Sequence, residues 1–261
     1  MTRTVVISGG GTGIGLAAAK AFARDGDRTI LVGRRPDVLE RASAEVEFSE
    51  ICPADLSEPA GARTVADFVR ERFGTVDVLV HSAGGNSSLR PATGPAAADP
   101  DSADPDSDDP LDLVARDWSL NFRVNTLSSV LLTEALCDRL ASPGGRVLFL
   151  SSIAAYRGSG AASYGAAKAA LHPYAHDLAR RLGHRGVTVN VVAPGIVADT
   201  EFFGDTGMPD ETWRARVDET LNARAGTPGD IAETLRWLAS PAAGHITSQV
   251  IQVNGGAQRG N

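Results

Sequence analysis

Short apolar runs alternate along the chain with longer segments in which apolar residues recur at helical spacing. The short runs, rich in valine, isoleucine and leucine, predict buried β-strands. These lie at residues 4–8, 29–33, 76–81, 146–151, 187–193 and 250–253, with a weaker candidate at 46–52. Near-continuous apolar strands of this kind are typical of a parallel sheet that is covered on both faces.

The segments between these runs predict amphipathic helices. They span residues 14–25, 59–73, 118–140, 164–182 and 229–238. Strands and helices alternate in βαβ order, and right-handed crossovers place helices on both faces of the sheet. We therefore predict an α/β fold with a doubly wound, seven-stranded parallel sheet. A chain of 261 residues is expected to form one domain, 1–261.

One stretch interrupts this alternation. Residues 87–110 consist mainly of proline, alanine, aspartate, serine and glycine, and Leu89 is their only large apolar residue. We expect an acidic, low-complexity loop insertion that is solvated at the surface. A lid and a docking site for a basic partner remain alternatives.

Composition narrows the class of protein. The net charge of -7 is concentrated, because seven aspartates lie within residues 99–112. The remainder has no basic stripe that would follow a nucleic-acid backbone, so we expect no nucleic-acid partner. No apolar run is long enough to cross a bilayer and no export signal is visible, which predicts no membrane association. Cys52 and Cys137 predict two reduced core thiols and a cytoplasmic protein.

A glycine-rich turn joins the first predicted strand to the first predicted helix. Its residues are Gly9, Gly10, Gly11, Thr12, Gly13, Ile14 and Gly15. Glycines let the backbone approach a pyrophosphate, and free N–H groups at a helix N-terminus bind its oxygens. This strand-turn-helix context predicts a Rossmann fold that binds a dinucleotide.

The second predicted strand ends in Gly33-Arg34-Arg35. NAD-preferring Rossmann enzymes place an acidic residue here to accept hydrogen bonds from the adenosine ribose. A guanidinium at Arg34 can instead pair with a 2′-phosphate, so we expect NADP(H), with NAD(H) as the less favoured cofactor. The alternative is that Arg34 and Arg35 only cap the sheet edge in solvent.

Tyr164 and Lys168 lie four residues apart in a predicted helix, so their side chains share one face. A nearby ammonium favours the phenolate, which lets a tyrosine act as general acid or base. A tyrosine and a lysine at this spacing are more often an exposed surface pair than a catalytic pair. Other motifs in the chain must distinguish these two interpretations.

Seven elements spread over nearly the whole chain resemble the short-chain dehydrogenase/reductase family in order and type. They are the glycine turn with Gly9, Gly13 and Gly15; Asp55-Leu56; His81-Ser82-Ala83-Gly84; Asn125; Ser151-Ser152; Tyr164 with Lys168; and Pro194-Gly195. The overall pattern is similar to 3-oxoacyl-carrier-protein reductases and polyketide ketoreductases. The resemblance implies an oxidoreductase that moves a hydride between a nicotinamide cofactor and a ketone or secondary alcohol.

The resemblance also implies roles for individual residues. Ser152 would bind the substrate oxygen, Tyr164 would exchange its proton, and Lys168 would bind the nicotinamide ribose and lower the pKa of the phenol. Asn125 would hold a water that links Lys168 to solvent. The remaining cofactor contacts are expected from Asp55, Leu56, Ser82, Ala83, Gly84, Pro194, Gly195, Val197 and Thr200.

Three positions depart from the family pattern. Ser152 lies twelve residues before Tyr164, one fewer than usual, and Ser151 restores the usual spacing; we favour Ser152. His81-Ser82 replaces two asparagines that brace the central strands. Thr200 comes one residue late after Pro194-Gly195, which leaves its nicotinamide contact open.

Other classes of function fit less well. His172 and His176 have a spacing that can chelate zinc, but Pro173 stands where a zinc protease carries glutamate, so we predict no metal site. A non-catalytic dinucleotide-binding regulator and an NAD-dependent alcohol or sugar dehydrogenase remain alternatives. The substrate is expected to be a small carbonyl compound or alcohol, free or bound to a carrier protein, and Phe202, Phe203, Met208 and Trp213 are candidates for a lid over it. The resemblance also implies a homo-oligomer, a dimer or tetramer.

Overall fold

Seven parallel strands form one sheet in the computed structural model, which describes residues 2–86, 109–158, 160–203 and 207–259. The strands are β1 (Thr4–Ser8), β2 (Arg28–Gly33), β3 (Ser49–Pro53), β4 (Val78–His81), β5 (Arg146–Leu150), β6 (Thr188–Pro194) and β7 (Val250–Val253). Their order is β3-β2-β1-β4-β5-β6-β7, so the chain reverses its direction of travel between β1 and β4. This confirms the predicted doubly wound sheet, and ligands of such sheets bind at the reversal point.

Ten α-helices are described around the sheet. They are α1 (Gly13–Arg24), α2 (Pro36–Ala44), α3 (Pro59–Arg72), α4 (Pro110–Phe122), α5 (Ser128–Leu136), α6 (Ala154–Arg157), α7 (Ala162–Ala169), α8 (Leu171–Leu182), α9 (Asp210–Asp218) and α10 (Pro228–Leu238). Alternate residues of each central strand face opposite sides, and one apolar core lies on each face. One core packs against α3, α5 and α8, and the other against α1, α2 and α10.

Two predicted helices are interrupted. The run 118–140 begins earlier, at Pro110, and is broken by a π-helical turn at Arg123–Leu127. The run 164–182 is divided at Ala170 into α7 and α8. Pro173 explains this division, because it has no N–H for the carbonyl of Ala169 and its ring crowds that carbonyl.

The predicted acidic loop lies largely outside the described residues, from 87 to 108. Near its predicted end, at about 110, Asp109 caps α4 by accepting a hydrogen bond from the Leu111 amide at 2.8 Å. Asp112 follows in the first turn, where a negative charge is favourable.

One smaller expectation also changes. Cys52 is buried, but Cys137 is only partly buried, so the prediction of two core thiols is wrong for the second. The histidines have separate partners: His172 bonds Ser151 and His176 bonds Ser248. None of the described helices is both long and apolar enough to cross a membrane.

Candidate active site

The glycine-rich turn lies at the carboxyl end of β1, beside the reversal point. Gly9 and Gly13 have φ values of +67° and +52°, which favour glycine. A β-carbon at Gly9 would lie 2.8 Å from the Ala83 nitrogen, and one at Gly15 would overlap the carbonyl oxygen of Gly9. The backbone at Gly9 and Gly15 therefore cannot accommodate a side chain.

The turn leads into α1 without a side-chain cap. Thr12 is the N-cap residue, and its hydroxyl accepts no hydrogen bond from the first turn of the helix. Gly11 packs near Val38 and Ile14 against the core beneath α1. Bare backbone and uncapped amides together fit the pyrophosphate of a dinucleotide.

Arg34 and Arg35 are exposed at the end of β2. Arg35 forms an ion pair of 2.8 Å with Glu201, which lies in a 3₁₀ turn at Glu201–Phe203. Sequence reasoning missed Glu201, because the pair joins residues 166 positions apart and no local pattern signals it.

Asp55 and Leu56 follow β3. One carboxylate oxygen of Asp55 accepts hydrogen bonds from the amide and hydroxyl of Ser57, at 3.0 and 2.7 Å. Leu56 is buried. The Asp55 side chain thus stabilises its own turn, which fixes the backbone where β3 ends.

Ser82, Ala83 and Gly84 run from the end of β4 across the glycine turn. The Ser82 amide donates to the carbonyl of Ser8, and the Ala83 amide donates to the Ser8 hydroxyl, both at 3.1 Å. A β-carbon at Gly84 would lie 2.5 Å from Asn125 Oδ1 and 3.0 Å from Lys168 Nζ. Asn125 and Lys168 therefore converge on Gly84.

Tyr164 and Lys168 project from α7 into the interior, and their exposed fractions are 6% and 5%. Lys168 Nζ donates to the carbonyl of Leu150 at 2.9 Å, at the end of β5. Ser152, two residues further along, makes a side-chain hydrogen bond with Tyr164. The phenol, the hydroxyl and the ammonium thus gather where β5 ends.

Burial sets the protonation of this pair. It raises the pKa of Tyr164 to about 12, an effect that the hydrogen bond from Ser152 partly offsets. Burial also lowers the pKa of Lys168 to about 8. At neutral pH the phenol therefore holds its proton, and it has a hydroxyl neighbour that can share a substrate oxygen.

Ser151 points away from this cluster. Its hydroxyl bonds the carbonyl of Lys168 at 3.1 Å and His172 Nε2 at 2.8 Å. The two hydroxyls therefore have different partners, because Ser151 bonds Lys168 and His172 while Ser152 bonds Tyr164. The structure places Ser152 at the phenol.

Asn125 lies in the π-helical turn and is fully buried. Its side chain bonds the Gly85 amide at 3.0 Å and the Gly85 carbonyl at 2.8 Å. Its amide also donates to the carbonyl of Asn121, and Asn121 in turn donates to Ser163, the residue before Tyr164. This buried network joins α4 to α7, and sequence reasoning did not find it.

The far wall of the site follows β6. Pro194 ends the strand, and Gly195 lies against Asn254, where a β-carbon would come within 2.8 Å of the Asn254 Cβ. Val197 is buried beside Gly226. The side chain of Thr200 lies over Gly13, 3.6 Å from where a β-carbon would stand.

A chain of aromatic rings closes over Tyr164. The ring of Phe202 lies 5.4 Å from that of Tyr164, Phe203 lies 5.0 Å from Phe202, and Trp213 of α9 lies 6.3 Å from Phe203. Three of the four predicted lid residues thus form one cluster, which reaches from the phenol to α9.

A family model described as Enoyl-(Acyl carrier protein) reductase matches residues 9–258. A solved short-chain dehydrogenase/reductase from Brucella melitensis, titled glucose/ribitol dehydrogenase, superposes with a TM-score of 0.82 at 30% identity, over 99% of this chain and 97% of that one. The chain is a short-chain dehydrogenase/reductase. The family implies a nicotinamide dinucleotide cofactor and a small-molecule substrate.

Two curated relatives of this short-chain dehydrogenase/reductase differ in their substrates. Galactitol 2-dehydrogenase (L-tagatose-forming) of Cereibacter sphaeroides is 32% identical, over 96% of this chain and 92% of that protein. The 3-oxoacyl-[acyl-carrier-protein] reductase FabG of Escherichia coli K12 is 28% identical, over 97% and 96%. The similarity therefore extends over nearly the whole of each chain, while the substrates that the two names give are galactitol and a 3-oxoacyl-[acyl-carrier-protein].

Proposed function

We propose that this protein is an NADP(H)-dependent oxidoreductase that interconverts a ketone and a secondary alcohol, with Tyr164 as the general acid/base. The observation that carries the proposal is the placement of Tyr164. Its buried phenol bonds the Ser152 hydroxyl and lies on the same helix face as Lys168. All three meet at the strand ends beside a backbone cradle that fits a dinucleotide.

In the reducing direction the carbonyl carbon receives a hydride and the carbonyl oxygen receives a proton. When bound, NADPH supplies the hydride. Ser152 donates a hydrogen bond that orients the carbonyl oxygen, and Tyr164 transfers its phenolic proton to that oxygen. The product is a secondary alcohol, and the phenolate that remains is reprotonated from the side of Lys168 and Asn125.

Burial keeps the phenol protonated before the transfer, and Lys168 offsets the cost of losing that proton. With a pKa of about 12, Tyr164 is protonated at neutral pH and is ready to act as the acid. The Lys168 ammonium favours the phenolate once it forms, because opposite charges attract strongly away from water. Asn125, held by Gly85 and Asn121, would position a water for proton exchange with solvent.

The preference for NADP rests on Arg34. It is exposed at the end of β2, and Gly33, just before it, offers no carboxylate to the ribose. A guanidinium that pairs with a 2′-phosphate contributes about 1.5–3 kcal/mol, which corresponds to at least a tenfold preference over NADH. Arg35 is already engaged by Glu201, so Arg34 is the first candidate.

The remaining cofactor contacts follow the pyrophosphate cradle. We assign the phosphates to the turn from Gly9 to Gly15, the adenine side to Asp55 and Leu56, and the nicotinamide side to the backbone around Gly84 and Gly195. Val197 and Thr200 border the same groove, and Thr200 faces Gly13 across it.

Matched fluorescence titrations with NADPH and NADH, followed by reduction of a ketone panel, test the proposal. We expect NADPH to bind at least about tenfold more tightly. Tyr164→Phe should lower kcat/KM by at least about a hundredfold while NADPH still binds, because only proton transfer is lost. Tyr174→Phe is the matched control, since Tyr174 of α8 is no part of the proposed site and its hydroxyl donates to Glu134 of α5 at 2.9 Å.

Each contrary outcome removes a different part of the proposal. Equal affinity for the two cofactors contradicts the NADP assignment and favours an NAD-dependent dehydrogenase. Cofactor binding with no carbonyl reduced and no alcohol oxidised favours a regulator. Turnover that survives Tyr164→Phe removes Tyr164 from the mechanism.

A further inference from the structure

A second cluster of charges lies outside the hydride-transfer machinery. Arg157, Gly158, Gly160 and Arg216 line a surface cleft of about 320 Å³. Arg157 ends α6, the two glycines belong to the connection from α6 to α7, and Arg216 lies on α9. The cleft therefore lies between α9 and the connection that leads to Tyr164.

The two arginines share one carboxylate. Arg157 forms an ion pair with one oxygen of Glu219, and Arg216 Nη1 pairs with the other at 2.8 Å. Arg157 also donates to the carbonyl of Ala257 at 3.3 Å. Two guanidinium charges against one carboxylate leave a local excess of positive charge, on a chain whose net charge is -7.

Two of the four residues that line the cleft, Gly158 and Gly160, have no side chain. A β-carbon at Gly158 or at Gly160 would meet no atom within 4 Å. A ligand group can thus approach the main chain there while it contacts the two guanidiniums. Each guanidinium carries five N–H donors, more than Glu219 and Ala257 accept.

The cleft is connected to the reacting phenol from both sides. On one side, α9 carries both Arg216 and Trp213, and the rings of Trp213, Phe203 and Phe202 lead to Tyr164. On the other side, Gly160 comes four residues before Tyr164. The cleft and Tyr164 thus share α9 and its aromatic cluster on one side and the connection from α6 to α7 on the other.

We propose that this cleft binds an anionic group, a carboxylate or a phosphate, at the far end of the carbonyl substrate. The inference rests on the proposed reductase function and narrows its substrate class to acidic carbonyl compounds. Guanidinium pairs bind such oxyanions through paired, charge-assisted hydrogen bonds. Glu219 acts as an internal competitor, because its carboxylate occupies the same guanidiniums.

Two pairs of substrates test this proposal and distinguish the two anions. Levulinate is compared with methyl levulinate, and acetoacetyl-4′-phosphopantetheine with acetoacetyl-pantetheine, so each pair differs only in the anionic group. We expect Arg216→Gln to raise KM about tenfold for the anionic member of at least one pair and to leave the neutral member unchanged. The affected pair identifies the anion as carboxylate or phosphate.

Two further variants make the test specific. Arg214→Gln removes the same charge two residues away, on an exposed position of α9, and should change neither member. Glu219→Gln should have the opposite sign and lower KM for the anionic member, because the competing carboxylate is gone. A Glu219→Gln variant that raises KM as much as Arg216→Gln does would overturn the proposal, since the ion pairs would then act only as fold contacts.

Calorimetric titration of the NADP⁺-bound protein with 4′-phosphopantetheine or with levulinate separates this proposal from the reductase function. Binding that Arg216→Gln abolishes supports the anion cleft even if no carbonyl is reduced, and only the reductase proposal then fails. Turnover with equal KM for the charged and neutral members, and no Arg216-dependent binding, overturns the cleft and leaves the reductase intact.

Discussion

His81 is an ionisable residue that is buried in a central strand of the sheet. It is buried at the end of β4, stacks on Phe149 at 4.6 Å and bonds Thr133 at 2.8 Å. The Thr133 hydroxyl donates to the carbonyl of Ser129, so His81 Nε2 is the donor and Nδ1 is left without a partner. The bracing bonds that the family draws from asparagine are thus rebuilt here through α5.

Stability should therefore depend on pH through His81. Burial, and secondarily the charge of Lys168, lowers the pKa of His81 from 6.5 to about 3. The unfolded chain takes up this proton near pH 6.5 and the folded protein only near pH 3, so stability is lost as the pH falls through that range. We expect His81 to account for about 3 kcal/mol of the loss between pH 7 and pH 4.

Urea unfolding of His81→Asn at the two pH values measures this contribution. Asparagine cannot ionise, so the variant should lose about 3 kcal/mol less than wild type between pH 7 and pH 4. His184→Asn, at an exposed position, should behave as wild type. An identical loss in wild type and His81→Asn would show that His81 does not set the acid sensitivity.

At the scale of elements, the 3₁₀ turn at Glu201–Phe203 connects the two ends of the site. Glu201 pairs with Arg35 beside the expected 2′-phosphate position, and Phe202, next in sequence, packs on Tyr164. Thr200, just before them, covers Gly13. One short segment thus touches the adenosine end, the pyrophosphate cradle and the phenol.

We expect Glu201→Gln to strengthen NADPH binding. Removing the carboxylate frees Arg35 for the 2′-phosphate, while NADH, which lacks that group, gains nothing. The pair is about half exposed, so the gain is limited to roughly 1 kcal/mol, or about fivefold in Kd. Fluorescence titrations measure both affinities, with Glu211→Gln as a matched loss of charge on α9. An equal gain in affinity for NADPH and NADH would contradict the competition between Glu201 and the 2′-phosphate for Arg35.

The elements also show what the sequence can and cannot predict. Apolar runs predicted six strands clearly and the strand at 46–52 more weakly, and helical spacing predicted the long helices, because those elements bury one face or both. The short helices α2, α6 and α9 were not predicted, since four to nine residues carry too few apolar positions to establish a period. The π-helical turn at Asn125 was also unpredicted, because it depends on packing against Gly85 and α7.

The residues of the candidate site also fall into those that the sequence predicts and those that it does not. Tyr164, Lys168 and the glycine turn follow local patterns, and the choice of Ser152 over Ser151 rested on the family resemblance, in which the strand delivers the second serine of such a pair. The ion pairs Arg35–Glu201 and Arg157–Glu219 join distant segments, so they become visible only once the sheet order brings those segments together. Long-range charge pairing has no periodic signature in a sequence.

At the scale of the whole molecule, an apolar stripe remains on the outer face of α4. Leu111, Val114, Trp118 and Phe122 recur at three- and four-residue spacing, and all are exposed, from 38% to 78%. Leu127 continues the stripe into the π-helical turn at 40%. Contiguous apolar surface of this kind marks an interaction face, and the family resemblance implies self-association through the helices that contain Asn125 and Tyr164.

We therefore expect the protein to be a dimer or tetramer in solution, with a mass two or four times 27.1 kDa by light scattering. Phe122→Glu places a charge within the stripe and should reduce that mass, because burying an unpaired carboxylate opposes association. Phe48→Glu, at an exposed position just before β3 and outside the stripe, should leave it unchanged. A wild-type mass near 27.1 kDa at micromolar concentration would contradict self-association, and an unchanged mass for Phe122→Glu would place the interface elsewhere.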